Sequence, residues 1–166
     1  MPHLGDAVRG LLLLILANSL PWLSGLVLKG RCAMPLDLGL VLPDGGPLLG
    51  SHKTWRGLAA AACGCTLAAW LSGLHWWTGT AFAAISLLGD ALSSLCKRRL
   101  GVAPGREIPL LDQLPETLLP LITLRTSLAL DPGAIAAVAG TFTLLDMLAT
   151  SVRQRNASSA ARSSRG

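Results

Sequence analysis

The chain has 166 residues, of which 51% are apolar and only 14% charged, and its mean hydropathy is +0.54. Soluble domains usually carry about a quarter charged residues, so this composition argues against an ordinary soluble enzyme and for an integral membrane protein. The net charge of +5 indicates anionic lipid headgroups as neighbours, and nothing in the chain resembles a nucleic-acid-binding fold.

Five membrane-spanning helices are predicted, in a single all-α domain with two polar cytosolic loops. Apolar runs place the spans at about 7–28, 57–74, 76–96, 114–129 and 133–152. The first run is long enough to span and has no small-residue cleavage site, so it is not interpreted as a signal peptide. The membrane domain is predicted to cover residues 1–153 and to be followed by a disordered basic tail at 154–166.

The distribution of basic residues predicts the orientation. Twelve of the fourteen Lys and Arg residues lie in the loop after the first span, the loop after the third span and the C-terminal tail. Only Arg9 and Arg125 lie on the other side. By the positive-inside rule, the N-terminus is outside and the C-terminus cytosolic, in the inner (cytoplasmic) membrane. His75, Trp76 and Trp77 fall at the short outer turn, where an interfacial aromatic belt accounts for them.

The end of the third span, residues 89–101, contains an acid inside the apolar run and a basic cluster at its edge. Asp90 lies ~10 Å of helix inward from Lys97 at about 1.5 Å per residue, and a carboxylate at that depth is costly unless it is paired. By helical spacing it shares one face with two serines and Lys97. Two interpretations are open, a metal-binding catalytic carboxylate and a structural ion pair with Lys97 or Arg98.

The first cytosolic loop, at about 29–56, is rich in glycine and ends in basic residues. Such backbone can turn successive N–H groups toward a phosphate, and Lys53 and Arg56 would add charge-assisted contacts. The alternative is that these residues are ordinary interfacial anchors. The loop lacks the spacing of a P-loop, so ATPase chemistry has no support.

The second loop, at about 97–113, begins with three consecutive basic residues and ends near two acids, Asp112 and Glu116. These acids could simply cap the fourth span and interact with its dipole. Taken together, the two loops supply carboxylates that suit Mg²⁺ and cations that neutralise charge in phosphoryl or nucleotidyl transfer. That set of groups suits a metal-bound polyphosphate meeting a lipid headgroup.

A series of motifs, in matching order and spacing over about residues 17–116, resembles the CDP-archaeol synthase family. The motifs are AN-x-x-P from Ala17, PLD-x-G from Pro35, DG at Asp44, G-x-x-KTWRG from Gly50, GD-x-x-SS-x-x-KRR from Gly89 and P-x-x-DQ from Pro109. The resemblance implies five transmembrane helices and a reaction in which CTP and a lipid phosphate give a CDP-lipid and pyrophosphate, with Mg²⁺. The family is similar in turn to the phosphatidate cytidylyltransferases.

The resemblance also implies roles for particular residues. Asp90 and Asp112 are the candidate metal ligands. The family usually has a second acid where this chain has Pro115, and the adjacent Glu116 is a candidate substitute. The residues expected to contact CTP phosphates or the lipid phosphate are Lys53, Thr54, Arg56, Lys97 and Arg98. The residues expected to shape or line the site are Asn18, Asp37 and Asp44. The predicted catalytic set is Lys53, Arg56, Asp90, Lys97 and Asp112.

Two other functions are alternatives to this one. A small non-enzymatic membrane protein, either a transporter or a lipid-binding subunit, could also contain a deep acid, because intramembrane charges mark ion paths. Asp146, in the fifth span, is the other deep acid and is open to a structural interpretation. A CDP-alcohol phosphotransferase ranks last because the expected series of spaced aspartates is missing. The sequence leaves open an ester or ether acceptor and a homodimer.

Overall fold

The computed structural model describes residues 4–29, 31–40, 53–101 and 109–163, with the backbone alone at 98, 109, 110, 112 and 152–163. The described residues form five α-helices and no strand beyond an isolated bridge. The helices are α1 (Leu4–Val27), α2 (Trp55–Leu71), α3 (Trp76–Arg99), α4 (Pro109–Thr123) and α5 (Pro132–Ser163). Helix α3 packs between α2 and α4, while α1 packs on α2 and α5. The predicted all-α class is confirmed.

Among the residues that the structure describes, three helical segments are long and apolar enough to cross a membrane. They are Leu4–Val27, Trp76–Lys97 and Pro132–Ser151. The other two helices within the described chain are shorter, with 17 residues in α2 and 15 in α4, against about 20 for a typical crossing helix. Three of the five predicted spans therefore have the length and hydropathy of a membrane helix.

The fourth helix lies earlier in the chain than the predicted span at 114–129. It begins at Pro109 and ends at Thr123, because proline is well suited to the first helical position, where its missing N–H is not needed. The chain then turns before Asp131, whose carboxylate accepts the backbone N–H of Ala134 over 2.7 Å and caps α5. Residues 112 and 113 consequently lie on a helix, where the sequence had indicated a loop.

The C-terminal segment also differs from its prediction. Helix α5 continues through Ser163, so residues 154–163 are helical instead of a disordered tail. Alanine and arginine are strong helix formers, and a helix that is already nucleated extends at little cost. Composition alone had favoured disorder because the segment has too few apolar residues to form a core.

Helix α3 is held closely against a neighbour on each side. The core around Phe82 combines Leu13 and Leu14 of α1 with Leu121 of α4. A side chain at Gly89 could not be accommodated, because its Cβ would overlap the carbonyl of Pro115 and lie 2.7 Å from the Cα of Glu116. The absence of a side chain at residue 89 therefore sets the distance between α3 and α4, immediately before Asp90.

A proline inside α4 explains a further contact between α3 and α4. Pro120 has no N–H, so it cannot donate to the carbonyl of Glu116 one turn earlier. The hydroxyl of Ser86 on α3 donates to that carbonyl over 3.2 Å. Serine side chains commonly satisfy backbone groups freed by proline in membrane helices. This hydrogen bond ties the middle of α4 to the turn of α3 that precedes Asp90.

Candidate active site

A cavity of about 510 Å³ lies among α1, α2, α3 and the residues just before α2. Its walls are of two kinds. The polar side chains that line it are Asn18, Lys53, Thr54, Arg56, Ser86 and Asp90. Apolar side chains line the rest, among them Pro21, Trp22, Leu26, Leu58 and Leu87. The same cavity therefore presents both charged groups and an apolar surface to a ligand.

The central polar contact is an ion pair between different elements. The ammonium of Lys53 lies 2.6 Å from the carboxylate of Asp90, with the two side chains 11% and 41% exposed. The ion-pair interpretation of Asp90 had named Lys97 or Arg98 as the partner, and the structure instead gives it a partner from the segment before α2. Because the carboxylate stays partly exposed while the ammonium is largely covered, Asp90 remains accessible from the cavity.

Backbone pairing with an earlier segment holds Lys53 in place. The N–H of Leu36 donates to the carbonyl of Lys53 over 2.8 Å, and the N–H of Trp55 donates to Met34 over 3.1 Å. Thr54 then caps α2, its hydroxyl accepting the N–H of Gly57 over 3.3 Å. These contacts fix the backbone on both sides of the lysine, so only its side chain is left to adjust.

Arg56 joins the cavity to the loop after α1. Its Nη1 donates to the carbonyl of Arg31 over 2.7 Å, and its Nε is buried without a hydrogen-bond partner among the described residues. Gly57 lies against Pro21 of α1, where an added Cβ would be 3.1 Å from the proline Cβ. The Lys-Thr-Trp-Arg-Gly motif thus combines an ion pair, a helix cap, a loop contact and a close helix crossing.

Two further predicted site residues are Asp37 and Asn18, of which only Asn18 lines the cavity. Asp37 is buried and its carboxylate accepts the N–H of Gly39 over 3.1 Å, in a turn where Gly39 has φ +82°. It shapes the segment that pairs with Lys53 and does not line the cavity. Asn18 does line it, while its amide donates to the carbonyl of Leu14 over 3.2 Å.

Lys97 and Glu116 do not line the cavity. Asp44 lies outside the described residues, and for Asp112 and Arg98 only the backbone, on α4 and α3, is described. Within the described part of the chain, no group of three His, Cys, Asp or Glu residues is close enough to hold a metal ion. The structure therefore brings together five predicted residues, Asn18, Lys53, Thr54, Arg56 and Asp90, and the predicted roles of all these residues stay predictions.

Sequence reasoning missed several residues of the cavity, of which Ser86 matters most, and it included Pro21 in the AN-x-x-P motif without giving it a role at the site. Ser86 precedes Asp90 by one helical turn, so the rule that i and i+4 share a face could have found it. Pro21 was visible inside an apolar run, where a proline leaves the carbonyl of Ala17 without its helical donor. Trp22 gave no signal that would separate it from an interfacial anchor.

The fold and the cavity define a class of protein: an all-helical protein with membrane-length helices and a mixed cationic, acidic and apolar cavity between them. Comparison with known proteins is more specific. A family model described as CarS-like, CDP-archaeol synthase, matches residues 7–155. The chain therefore belongs to the CDP-archaeol synthase family, as the motifs had indicated.

Individual relatives agree with the family match. The chain is 42% identical over 118 residues to the CDP-archaeol synthase of Aeropyrum pernix. The matched region covers 66% of this chain and 63% of that protein. It is 34% identical over 122 residues to the CDP-archaeol synthase of Hyperthermus butylicus, with 66% of each covered. The matches thus span just under two thirds of the length of these curated relatives.

A solved structure is similar over most of the chain. It is described as an intramembrane enzyme for archaeal membrane lipids biosynthesis, and it has a TM-score of 0.62 and 38% sequence identity. The match covers 84% of this chain and 91% of the other. The helical arrangement described above is therefore shared with an enzyme that works inside a membrane.

Proposed function

We propose that this protein is a CTP-dependent cytidylyltransferase that converts a membrane lipid phosphate to a CDP-lipid and releases pyrophosphate. Family membership supports the reaction type. The observation that carries the proposal is the Lys53–Asp90 ion pair, which lies in a cavity lined by both charged and apolar side chains. A nucleotide polyphosphate and a lipid phosphate together need such a site, because one reactant is highly charged and the other has a hydrocarbon tail.

The chemistry follows from the charges of the reactants. An oxygen of the lipid phosphate attacks the α-phosphorus of CTP, the bond from that phosphorus to the bridging oxygen breaks, and pyrophosphate leaves. The nucleophile is already anionic, so no general base is required. The enzyme then acts by aligning the two phosphates and by neutralising the charge that accumulates in the transition state.

Lys53 and Arg56 are the cations of the cavity that can do this. Lys53 presents a largely covered ammonium, whose charge acts more strongly when water is excluded. Arg56 has a buried Nε with no hydrogen-bond partner in the described chain, and guanidinium groups bind phosphate oxygens in a bidentate fashion. We assign both to the phosphates of CTP or of the lipid, and we assign Lys97, Arg98 and Thr54 to the same group of contacts.

The donor atoms of the cavity fit Mg²⁺. Asp90 contributes a partly exposed carboxylate, and the amide of Asn18 and the hydroxyls of Thr54 and Ser86 line the same space. Hard oxygen donors of this kind are the ligands Mg²⁺ takes in proteins. We assign Asp90, Asp112 and Glu116 to hold the ion, with Asp37 and Asp44 shaping the surrounding loop. When bound, Mg²⁺ supplies Lewis-acid neutralisation of phosphate oxygens.

We further propose that α2 and α4 also cross the inner membrane, giving five spans with the N-terminus outside and the C-terminus cytosolic. The support is the distribution of charge. Lys53 and Arg56, which line the cavity, lie on the side where the sequence concentrates Lys and Arg, and alternating crossings place that side in the cytosol. Association as a homodimer stays a prediction.

The rival function, a transporter or lipid-binding subunit without catalysis, has weaker support. A conduit would distribute charged groups across several helices through the membrane. The polar residues of the cavity instead collect in one region, at the C-terminal half of α1, the start of α2 and the middle of α3 from Ser86 to Asp90. The family match favours the enzyme as well.

The test is direct synthesis by the purified full chain in detergent micelles. We would supply Mg²⁺, CTP labelled at the α-phosphate, and a panel of lipid phosphates that begins with an ether-linked archaeol phosphate and includes ester-linked phosphatidate. We expect labelled CDP-lipid and equimolar pyrophosphate from at least one acceptor, with none after chelation or when ATP replaces CTP. No labelled lipid from any acceptor, together with no binding of CTP, would overturn the proposal.

A further inference from the structure

A second polar contact lies between α4 and α5, and no residue of it lines the cavity. The amide Nε2 of Gln113 donates to Oδ2 of Asp146 over 2.7 Å. Gln113 is only 6% exposed, and Asp146 lies in the membrane-length segment Pro132–Ser151. A carboxylate inside such an apolar helix is costly and usually marks a functional requirement. The mechanism described above does not use it.

The hydrogen bond fixes the orientation of the Gln113 amide. Because the amide Nε2 donates to Oδ2 of Asp146, the Oε1 of the same amide is turned away from that carboxylate. The Oε1 of Gln113 is then buried without a hydrogen-bond partner among the described residues, and an unmet buried acceptor destabilises the folded protein. Because it leaves one acceptor unsatisfied, the Gln113–Asp146 hydrogen bond is poorly suited to a role in stability alone. It is well suited to holding one side chain in one place.

Gln113 is also held from its own helix. The hydroxyl of Thr117, which is fully buried, donates to the backbone carbonyl of Gln113 over 2.7 Å. The first turns of α4 are thus fixed against α5 through the Gln113 side chain and internally through its carbonyl. A change at Asp146 would therefore reach the backbone at the start of α4.

That part of α4 lies beside the candidate active site. The backbone of Pro115 and Glu116 packs directly on Gly89 of α3, the residue before Asp90. Position 112 precedes those two residues by three and four, so it shares their face of the helix. The face of α4 that contains position 112 is accordingly the face that meets α3 next to Asp90.

We propose that Asp146 is a positioning residue of the metal site. By accepting the buried amide of Gln113, it fixes the start of α4 and with it the position of Asp112 relative to Asp90. This inference rests on the proposed function, which assigns Asp90 and Asp112 to Mg²⁺. It deepens that function by giving a role to an acid on a helix none of whose described side chains lines the cavity.

The test compares variants of the full chain in two assays. One measures the Mg²⁺ concentration that gives half the maximal rate, alongside the KM for CTP. The other measures binding of Mn²⁺ to the protein by electron paramagnetic resonance, which does not depend on turnover. The variants are Asp146→Leu, Gln113→Leu, the double variant and Asp146→Asn. Leu148→Ala, at an exposed position on the same helix, is the control.

We expect Asp146→Leu and Gln113→Leu each to raise the half-maximal Mg²⁺ concentration by about 10-fold or more, as loss of an outer-shell partner typically does. The Mn²⁺ affinity should fall in parallel, while the KM for CTP at saturating Mg²⁺ stays within about twofold. The double variant should be no worse than either single variant, because both remove one interaction. Asp146→Asn can still accept from Gln113 and should behave like the unaltered protein.

Two results would overturn the inference. One is a folded Asp146→Leu protein that binds Mn²⁺ like the unaltered protein, since a purely structural role lowers stability without changing metal affinity. The other is an Asp146→Asn protein as impaired as Asp146→Leu. If Asp146→Leu does not fold, Gln113→Leu makes the same test from α4. An unaltered protein that makes no CDP-lipid would refute the proposed function, whereas an active one with normal metal dependence in the variants refutes only this inference.

Discussion

The ammonium of Lys53 and the carboxylate of Asp90 lie 2.6 Å apart, although one precedes α2 and the other belongs to α3. The ion pair therefore links the start of α2 to α3 at the cavity. It also joins a group proposed to bind phosphate with a group proposed to bind metal.

Replacing Asp90 by asparagine should stop the reaction without unfolding the protein. The substitution preserves the shape of the side chain but removes the negative charge, and we expect CTP-dependent pyrophosphate release to fall by about 100-fold or more. Asp6→Asn is the matched control, because it removes a carboxylate from another ion pair, with Arg9 at 2.7 Å, that does not line the cavity. A fully active Asp90→Asn protein would refute the site assignment.

Some features of this site could be predicted from the sequence and others could not. The cost of a carboxylate in an apolar helix singled out Asp90, whereas Lys53 and Arg56 were open to an anchoring role until the family resemblance implied contacts with phosphate. That these three residues line one cavity could not be predicted. Their arrangement depends on the Leu36–Lys53 backbone pairing and on the helix crossing at Gly57, both of which are tertiary contacts.

The boundaries of the helices could likewise be predicted from the sequence only in part. Hydropathy located the apolar part of the fourth helix but not its beginning, which is set by Pro109 at the first helical position. The composition after residue 153, rich in Ser, Ala and Arg, predicts disorder, whereas helix propensity and continuity with α5 keep the backbone helical as far as Ser163. The Gln113–Asp146 contact had no sequence signal beyond the presence of a deep acid.

Gly89→Ala should separate α3 from α4. The added methyl group would overlap the Pro115 carbonyl, and overpacking of this kind typically costs about 1–3 kcal/mol, partly offset by the better helix propensity of alanine. We expect a lower free energy of unfolding in detergent and reduced activity, since Asp90 is the next residue. Gly140→Ala on α5 is the control, because a Cβ there meets nothing within 4 Å and should be neutral or stabilising. Equal stability of the two variants would contradict the close packing.

Thr54→Val should weaken the start of α2. Valine has nearly the shape of threonine but cannot accept the N–H of Gly57, which the hydroxyl accepts over 3.3 Å. Loss of such a cap usually costs about 1 kcal/mol. The KM for CTP should also rise, because fraying loosens the neighbouring Lys53 and because the substitution removes a hydroxyl assigned to the phosphates. Thr54→Ser retains the hydroxyl and should restore both stability and KM. If serine fails to restore stability, capping is not the role of this residue.

The Ser86 hydroxyl and the ring of Pro120 should be coupled energetically, because both act on one carbonyl. Pro120 deprives the carbonyl of Glu116 of its helical donor, and Ser86 replaces that donor over 3.2 Å. Ser86→Ala should therefore lower the free energy of unfolding by about 1 kcal/mol. In a Pro120→Ala background the backbone N–H of residue 120 returns to the carbonyl, so the same serine substitution should cost clearly less. A double-mutant cycle of chemical unfolding in detergent measures the difference. Equal costs in the two backgrounds would mean that Ser86 does not compensate for the proline.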